Sequence, residues 1–193
     1  FRDIEQFERG PGIPQIGRFA NPPRAADLES LTLPIADFAA LSRCRPGDCA
    51  VKLSAAAMSR FRSEVAWSTA NAARQADEVI RSMILELVLA YRDGGNLALG
   101  TYDDGNKPLS VAEQVQGLLA SDDPLPALVP ALLAYLDAYP RDRPAGAEDF
   151  FYWTVVDFGL KPTIRVKNHS DWIVPFNITD GEPWIVRGNR TGS

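Results

Sequence analysis

The sequence predicts an α+β fold: a mainly helical bundle around a central buried helix, with an extended N-terminal arm and a small C-terminal antiparallel β element. Three observations predict it. Val79, Ile80, Met83, Ile84, Leu87, Val88 and Tyr91 recur at three- and four-residue steps, the period of one helical face, and Leu85 and Leu89 carry apolar character around the rest of that stretch. Gly10, Pro11, Gly12, Pro14, Gly17, Pro22 and Pro23 break any helix near the start. After Gly159 the period falls to two, with Ile164 and Val166 alternating with polar residues. These changes of character divide the chain into an arm over 1–26, a helical domain over 27–160 and a β-rich element over 161–193 packed on the same domain.

In order, Ile13, Ile16 and Phe19 are spaced to pin the arm across the body as a strap rather than leave it a free linker. Pro34 suits the first position of a helix running to about Arg43. Ser54 reads as the N-cap of a helix through Met58, Phe61 and Val65. Ser68 or Thr69 is placed to cap the long central helix, which Gly94 and Gly95 stop. A further turn is expected over 96–102. Ser110 and Glu113 form a capping box before Val115, Leu118 and Leu119. Leu128, Val129, Leu132, Leu133, Leu136 and Tyr139 describe another amphipathic helix, ended by Pro140. Residues 147–158 read as helix, although Phe150-Phe151-Tyr152-Trp153 and Val155-Val156 suit a strand equally well. Short β segments over 163–167, 172–178 and 183–186 follow, with turn chemistry at Asp180-Gly181.

Length and charge exclude some functions. A chain of 193 residues with 46% hydrophobic and 23% charged side chains is ordinary globular material, large enough for one domain with a small appendage. Residues 1–62 hold nine basic and seven acidic side chains, 63–160 six and fifteen, and 161–193 five and three. The basic residues are scattered singly, so no stripe for nucleic acid is present. No apolar run reaches the roughly 18–20 residues that span a bilayer, and Glu86 interrupts the best stretch. The sequence opens at Phe1 with no charged and apolar leader, which reads as a processed chain or an excised piece.

The most specific local feature is Cys44-Arg45-Pro46-Gly47-Asp48-Cys49. Pro-Gly at the centre of a tight turn brings the two sulfurs within bridging reach. A structural disulfide is the favoured reading, and with it an oxidising compartment. Two free thiols, or a redox or metal role, are the alternatives, although redox pairs use a two-residue spacing and zinc needs ligands beyond a single His. With Ala50-Val51-Lys52-Leu53, and with Gly17-Arg18-Phe19, Pro22-Pro23, Ala90-Tyr91, Gly95-Asn96, Phe151-Tyr152-Trp153 and Phe158-Gly159-Leu160-Lys161-Pro162, this segment resembles a group of exported bacterial proteins with no assigned activity. The resemblance covers about residues 17–165. It implies a periplasmic or extracellular setting and no particular chemistry.

Few residues suggest a site. His169 is the only histidine, and an active-site reading makes it a general base oriented by Asp171. No Gly-x-Ser-x-Gly accompanies it, and a turn histidine between strands is the plainer reading. Glu86, if buried in the apolar helix, would be an acid or base with a raised pKa, but Ser82 and Ala90 flank it at four-residue steps and make a polar stripe that could face water. Asp103, Asp104 and Asn106, like Asp180 and Glu182, do not match calcium-loop spacing, and no metal or cofactor is expected. Trp153, Trp172, Phe176 and Trp184 make a platform for a protein, sugar or lipid partner if exposed, and a helix–sheet core if buried. The function this supports is an exported, non-catalytic binding or protein-interaction domain. The alternative is an exported hydrolase using Asp and Glu carboxylates, with His169.

Overall fold

The computed structural model describes residues 12–119, 130–141, 149–156, 163–169 and 176–177. Its fold is α+β. Strand β1 (Gln15–Arg18) comes first, followed by a 3-10 turn (Ala25–Leu28) and helices α1 (Ile35–Leu41), α2 (Ala55–Glu64) and α3 (Ala72–Gly94). A second 3-10 turn (Gly95–Ala98) leads to the short hairpin of β2 (Thr101–Tyr102) and β3 (Leu109–Ser110). Helices α4 (Val111–Leu119) and α5 (Pro130–Ala138) precede β4 (Phe150–Val156), β5 (Thr163–His169) and β6 (Phe176–Asn177). A four-stranded antiparallel sheet has the order β1-β4-β5-β6.

Helix α3 is the spine. Ala72, Ala76, Val79, Ile80, Ile84, Val88 and Tyr91 are buried along one face. Met83, Leu85, Leu87 and Leu89 are only half-buried, so the helix is packed on one side and partly covered on the others. The residue preceding it is Asn71, whose side chain makes no capping bond. The expected caps do other work: the Thr69 hydroxyl donates to the Ala66 carbonyl (2.9 Å) and so closes the preceding turn. At the other end Gly95 adopts φ +59°, open to glycine at little cost. Ser54 caps α2, its hydroxyl accepting from Ala57 N–H (3.1 Å), and Ser110 does the same for Glu113 N–H (3.3 Å). Pro34 stands one position earlier than expected, as the extended residue before α1.

The stretch expected to be helical over 147–158 is instead β4. Its seven residues are all buried, so the run shows no alternation of apolar and polar side chains, and propensity of the aromatic and β-branched residues decides it. Phe151, Trp153 and Val155 join the main core, while Phe150 and Tyr152 pack with Ile16 in a second cluster. The arm is likewise more than a strap, because β1 pairs with β4 in register, Gln15 opposite Val155 and Arg18 opposite Tyr152. Gly17 lies opposite Trp153, and a Cβ there would fall 2.6 Å from the indole ring. Beyond the 3-10 turn the chain is fastened to α3, with Arg81 donating twice to the Leu31 carbonyl (2.8 and 2.6 Å) and Leu33 N–H to Asp77 (2.8 Å).

Cys44 and Cys49 form a disulfide. The bridged turn is seated on the loop after β2: Gly47 N–H donates to the Asp103 carbonyl (2.7 Å) and Cys49 N–H to that of Asp104 (3.2 Å). Asp103 also accepts from Ala55 N–H through its carboxylate (2.7 Å), and Asp104 pairs with Lys52 (2.6 Å). The acidic pair considered for calcium is therefore engaged in holding the disulfide turn and the start of α2. Among the described residues no group of three His, Cys, Asp or Glu side chains is placed to hold a metal ion. No helix among them is long and apolar enough to cross a membrane.

Candidate ligand-binding cleft

A cleft of about 870 Å³ opens where the chain leaves β1 and meets the end of α5. One wall is built by Asp27. Its carboxylate accepts from Ala20 N–H (2.9 Å) and Arg24 N–H (2.7 Å), folding 20–24 into a tight loop, and its carbonyl accepts from the Trp153 indole (2.9 Å). Phe19 N–H donates to the Phe151 carbonyl (2.9 Å), which carries the β1–β4 ladder to the cleft edge. Phe150 and Phe151, successive strand residues, also line it.

The opposite wall is aromatic. Tyr139 stacks on Tyr91 at 4.8 Å between centroids, Tyr135 stands edge-on to Tyr139 at 5.7 Å, and Tyr91 meets Phe151 edge-on at 6.2 Å. Asn96 locks α5 in place by donating to the Leu136 carbonyl (2.8 Å). The missing side chain of Gly95 matters as much as its φ, since a Cβ would overlap the Tyr139 carbonyl. Pre-positioned aromatic walls of this kind lose little freedom when a ligand enters.

Polar groups are part of the lining too. The Tyr135 hydroxyl donates to the Asp149 carboxylate. Arg18 extends its guanidinium over the Phe150 ring, 4.2 Å from the centroid, and makes no ion pair among the described residues. Arg92, from the last turn of α3, bonds its neighbour Asp93 (2.7 Å). That hydrogen bond raises the Arg92 pKa above its ordinary value and lowers that of Asp93. Both carboxylates lining the cleft, Asp27 and Asp149, already accept protein hydrogen bonds, whereas Arg18 offers donors in a planar fork suited to carboxylate or phosphate.

No family model, curated protein or solved structure matches this chain.

The residues singled out from sequence fall elsewhere. Trp153 is fully buried, its N–H satisfied by Asp27, and so it is core rather than a platform. Glu86 is not a buried acid: its side chain is 61% exposed and paired with Arg60 (2.8 Å), with Ser82 donating to it (2.8 Å), as the polar stripe allows. His169 ends β5, its backbone in register opposite Phe150. Phe176 lies in β6, paired with Val166. Asp171, Trp172 and Trp184, with Asp180 and Glu182, lie outside the described residues. Missed altogether were Arg18, Tyr135 and Asp149, drawn from three distant stretches with no shared spacing. The only signal was the pair Tyr135 and Tyr139 at a four-residue step, which periodicity assigns to a core face.

Proposed function

We propose that the chain is an exported binding domain that holds a small polar molecule carrying an anionic group in the cleft between β1 and α5, without transforming it. The observation that carries this reading is the Arg18 guanidinium, held over Phe150 at the mouth of a cleft of ligand size and not paired with a carboxylate among the described residues. Non-catalytic binding is favoured over hydrolysis because the described lining contains no Ser, Thr, Cys, His or Lys to serve as nucleophile, and its two described carboxylates are engaged in positioning. Export to a periplasmic or extracellular space is supported by the Cys44–Cys49 disulfide and by the resemblance of that segment to exported bacterial proteins.

A thermal-shift panel of small carboxylates and phosphate esters, run on the full chain and on Arg18→Ala, tests the reading. A saturable rise in Tm for some members, weakened about tenfold or more in apparent affinity by the substitution, supports it. A rise that persists undiminished in Arg18→Ala, or hydrolysis of the added esters by the parent chain, overturns it.

A further inference from the structure

A second hollow, of about 390 Å³, lies against the other flank of α3 and shares no lining residue with the cleft. Ala56 and Ala57 of α2, Met83 and Leu87 of α3, and Ala98 and Gly100 of the connecting turn are among the residues around it. Ala56, Ala57, Ala90, Ala98 and Gly100 are short members of its lining, and a Cβ placed on Gly100 would meet nothing within 4 Å. Its walls are tied together. Arg60 spans from α2 to α3, donating to both Glu86 oxygens (3.0 and 2.8 Å), while Asp103 fastens the first turn of α2.

We infer that this hollow binds a small, uncharged, apolar molecule. The cations at its rim have their counter-ions already: Arg60 pairs with Glu64 and Glu86, and Lys52 with Asp104. Tyr102 is half-buried at its edge, and desolvation of its phenol together with Asp104 pushes its pKa up, so it stays neutral. A charged ligand would shed its water here and meet no free opposite charge, which is costly. An apolar ligand would cover the half-buried faces of Met83 and Leu87, the gain expected of apolar burial.

The test uses the uncharged fluorophore phenylnaphthylamine with the full chain, competed by decanol and by decanoate. Ala56 and Ala90 are exposed lining residues, so Ala56→Leu and Ala90→Leu fill the hollow from its surface, and Ala39→Leu, exposed on α1, is the control. Saturable fluorescence enhancement is expected, displaced by decanol more effectively than by decanoate. Affinity should drop about tenfold or more in at least one filled variant with unchanged Tm, and stay unchanged in Ala39→Leu. Non-saturable binding, equal loss in Ala39→Leu, undiminished binding in both filled variants, or stronger displacement by decanoate overturns the inference.

Discussion

Two residues at the edge of the core show how much a single position decides. Gly17 is open enough to be half-exposed, yet the Trp153 indole occupies the space where its Cβ would be. Trp153 has no room to retreat, being fully buried and tied by its N–H to the Asp27 carbonyl. Gly17→Ala is therefore expected to destabilise the fold by about 2 kcal/mol, the usual cost of overpacking a fixed neighbour. Urea denaturation would read this as a lower midpoint at unchanged slope, and a change within about 0.5 kcal/mol would sink it. Tyr102 makes a different prediction. Burial keeps its proton on in the folded protein to a pH well above the ordinary tyrosine value of about 10. Once the unfolded chain starts releasing that proton, it binds fewer protons than the native state, so stability falls as pH rises. The contribution is complete below about pH 10 and is lost above it, at up to about 1.4 kcal/mol per pH unit. The parent chain should thus lose more stability between about pH 9 and about pH 11 than Tyr102→Phe does. Equal losses in the two proteins would exclude a buried phenol.

At the scale of elements, most helices and the C-terminal strands β5 and β6 were legible in the sequence, whereas β1 and the strand character of β4 were not. Helix α3 carries its own instructions over 23 residues, so its period shows without knowledge of neighbours. The disulfide turn is equally local, written in Pro46 and Gly47 between two cysteines. By contrast β4 is buried on both faces, and a strand in that position reads as an unbroken apolar run that periodicity cannot tell from a helix segment. Strand β1 is four residues with a glycine in the middle, and its pairing partner lies more than a hundred residues away. Nothing local marks it as a strand. The cleft inherits this illegibility. Arg18 sits at the end of β1, Tyr135 on α5 and Asp149 just before β4, so the site appears only once those two strands have paired. Glu86 was a candidate because its helix is apolar, but its place on that helix, one turn from Ser82, turns it to water and to Arg60.

For the molecule as a whole, the sheet bears on whether the helical part stands alone. The sequence divides the chain into an arm, a helical domain over 27–160 and a β-rich end, which suggests that the middle piece carries its own core. The sheet crosses both boundaries. Its second strand, β4, lies inside the middle piece, while its partners β1 and β5 lie before and after it. A fragment spanning 27–160 would keep β4 and lose both neighbours. Its backbone donors and acceptors would be unpaired along both edges, at about 1 kcal/mol for each lost bond. Trp153 would also lose Gly17, and Phe150 and Tyr152 would lose Ile16. Against a total stability of roughly 5–15 kcal/mol for a domain, that deficit is decisive. The full chain should unfold in one cooperative transition, with far-UV circular dichroism and tryptophan fluorescence coincident. The 27–160 fragment should show no cooperative transition and a solvent-exposed tryptophan emission. A fragment that melts cooperatively near the full chain's midpoint would mean that α1 to α5 form a self-sufficient bundle, and that the sheet, with the cleft built on it, is an addition rather than part of the core.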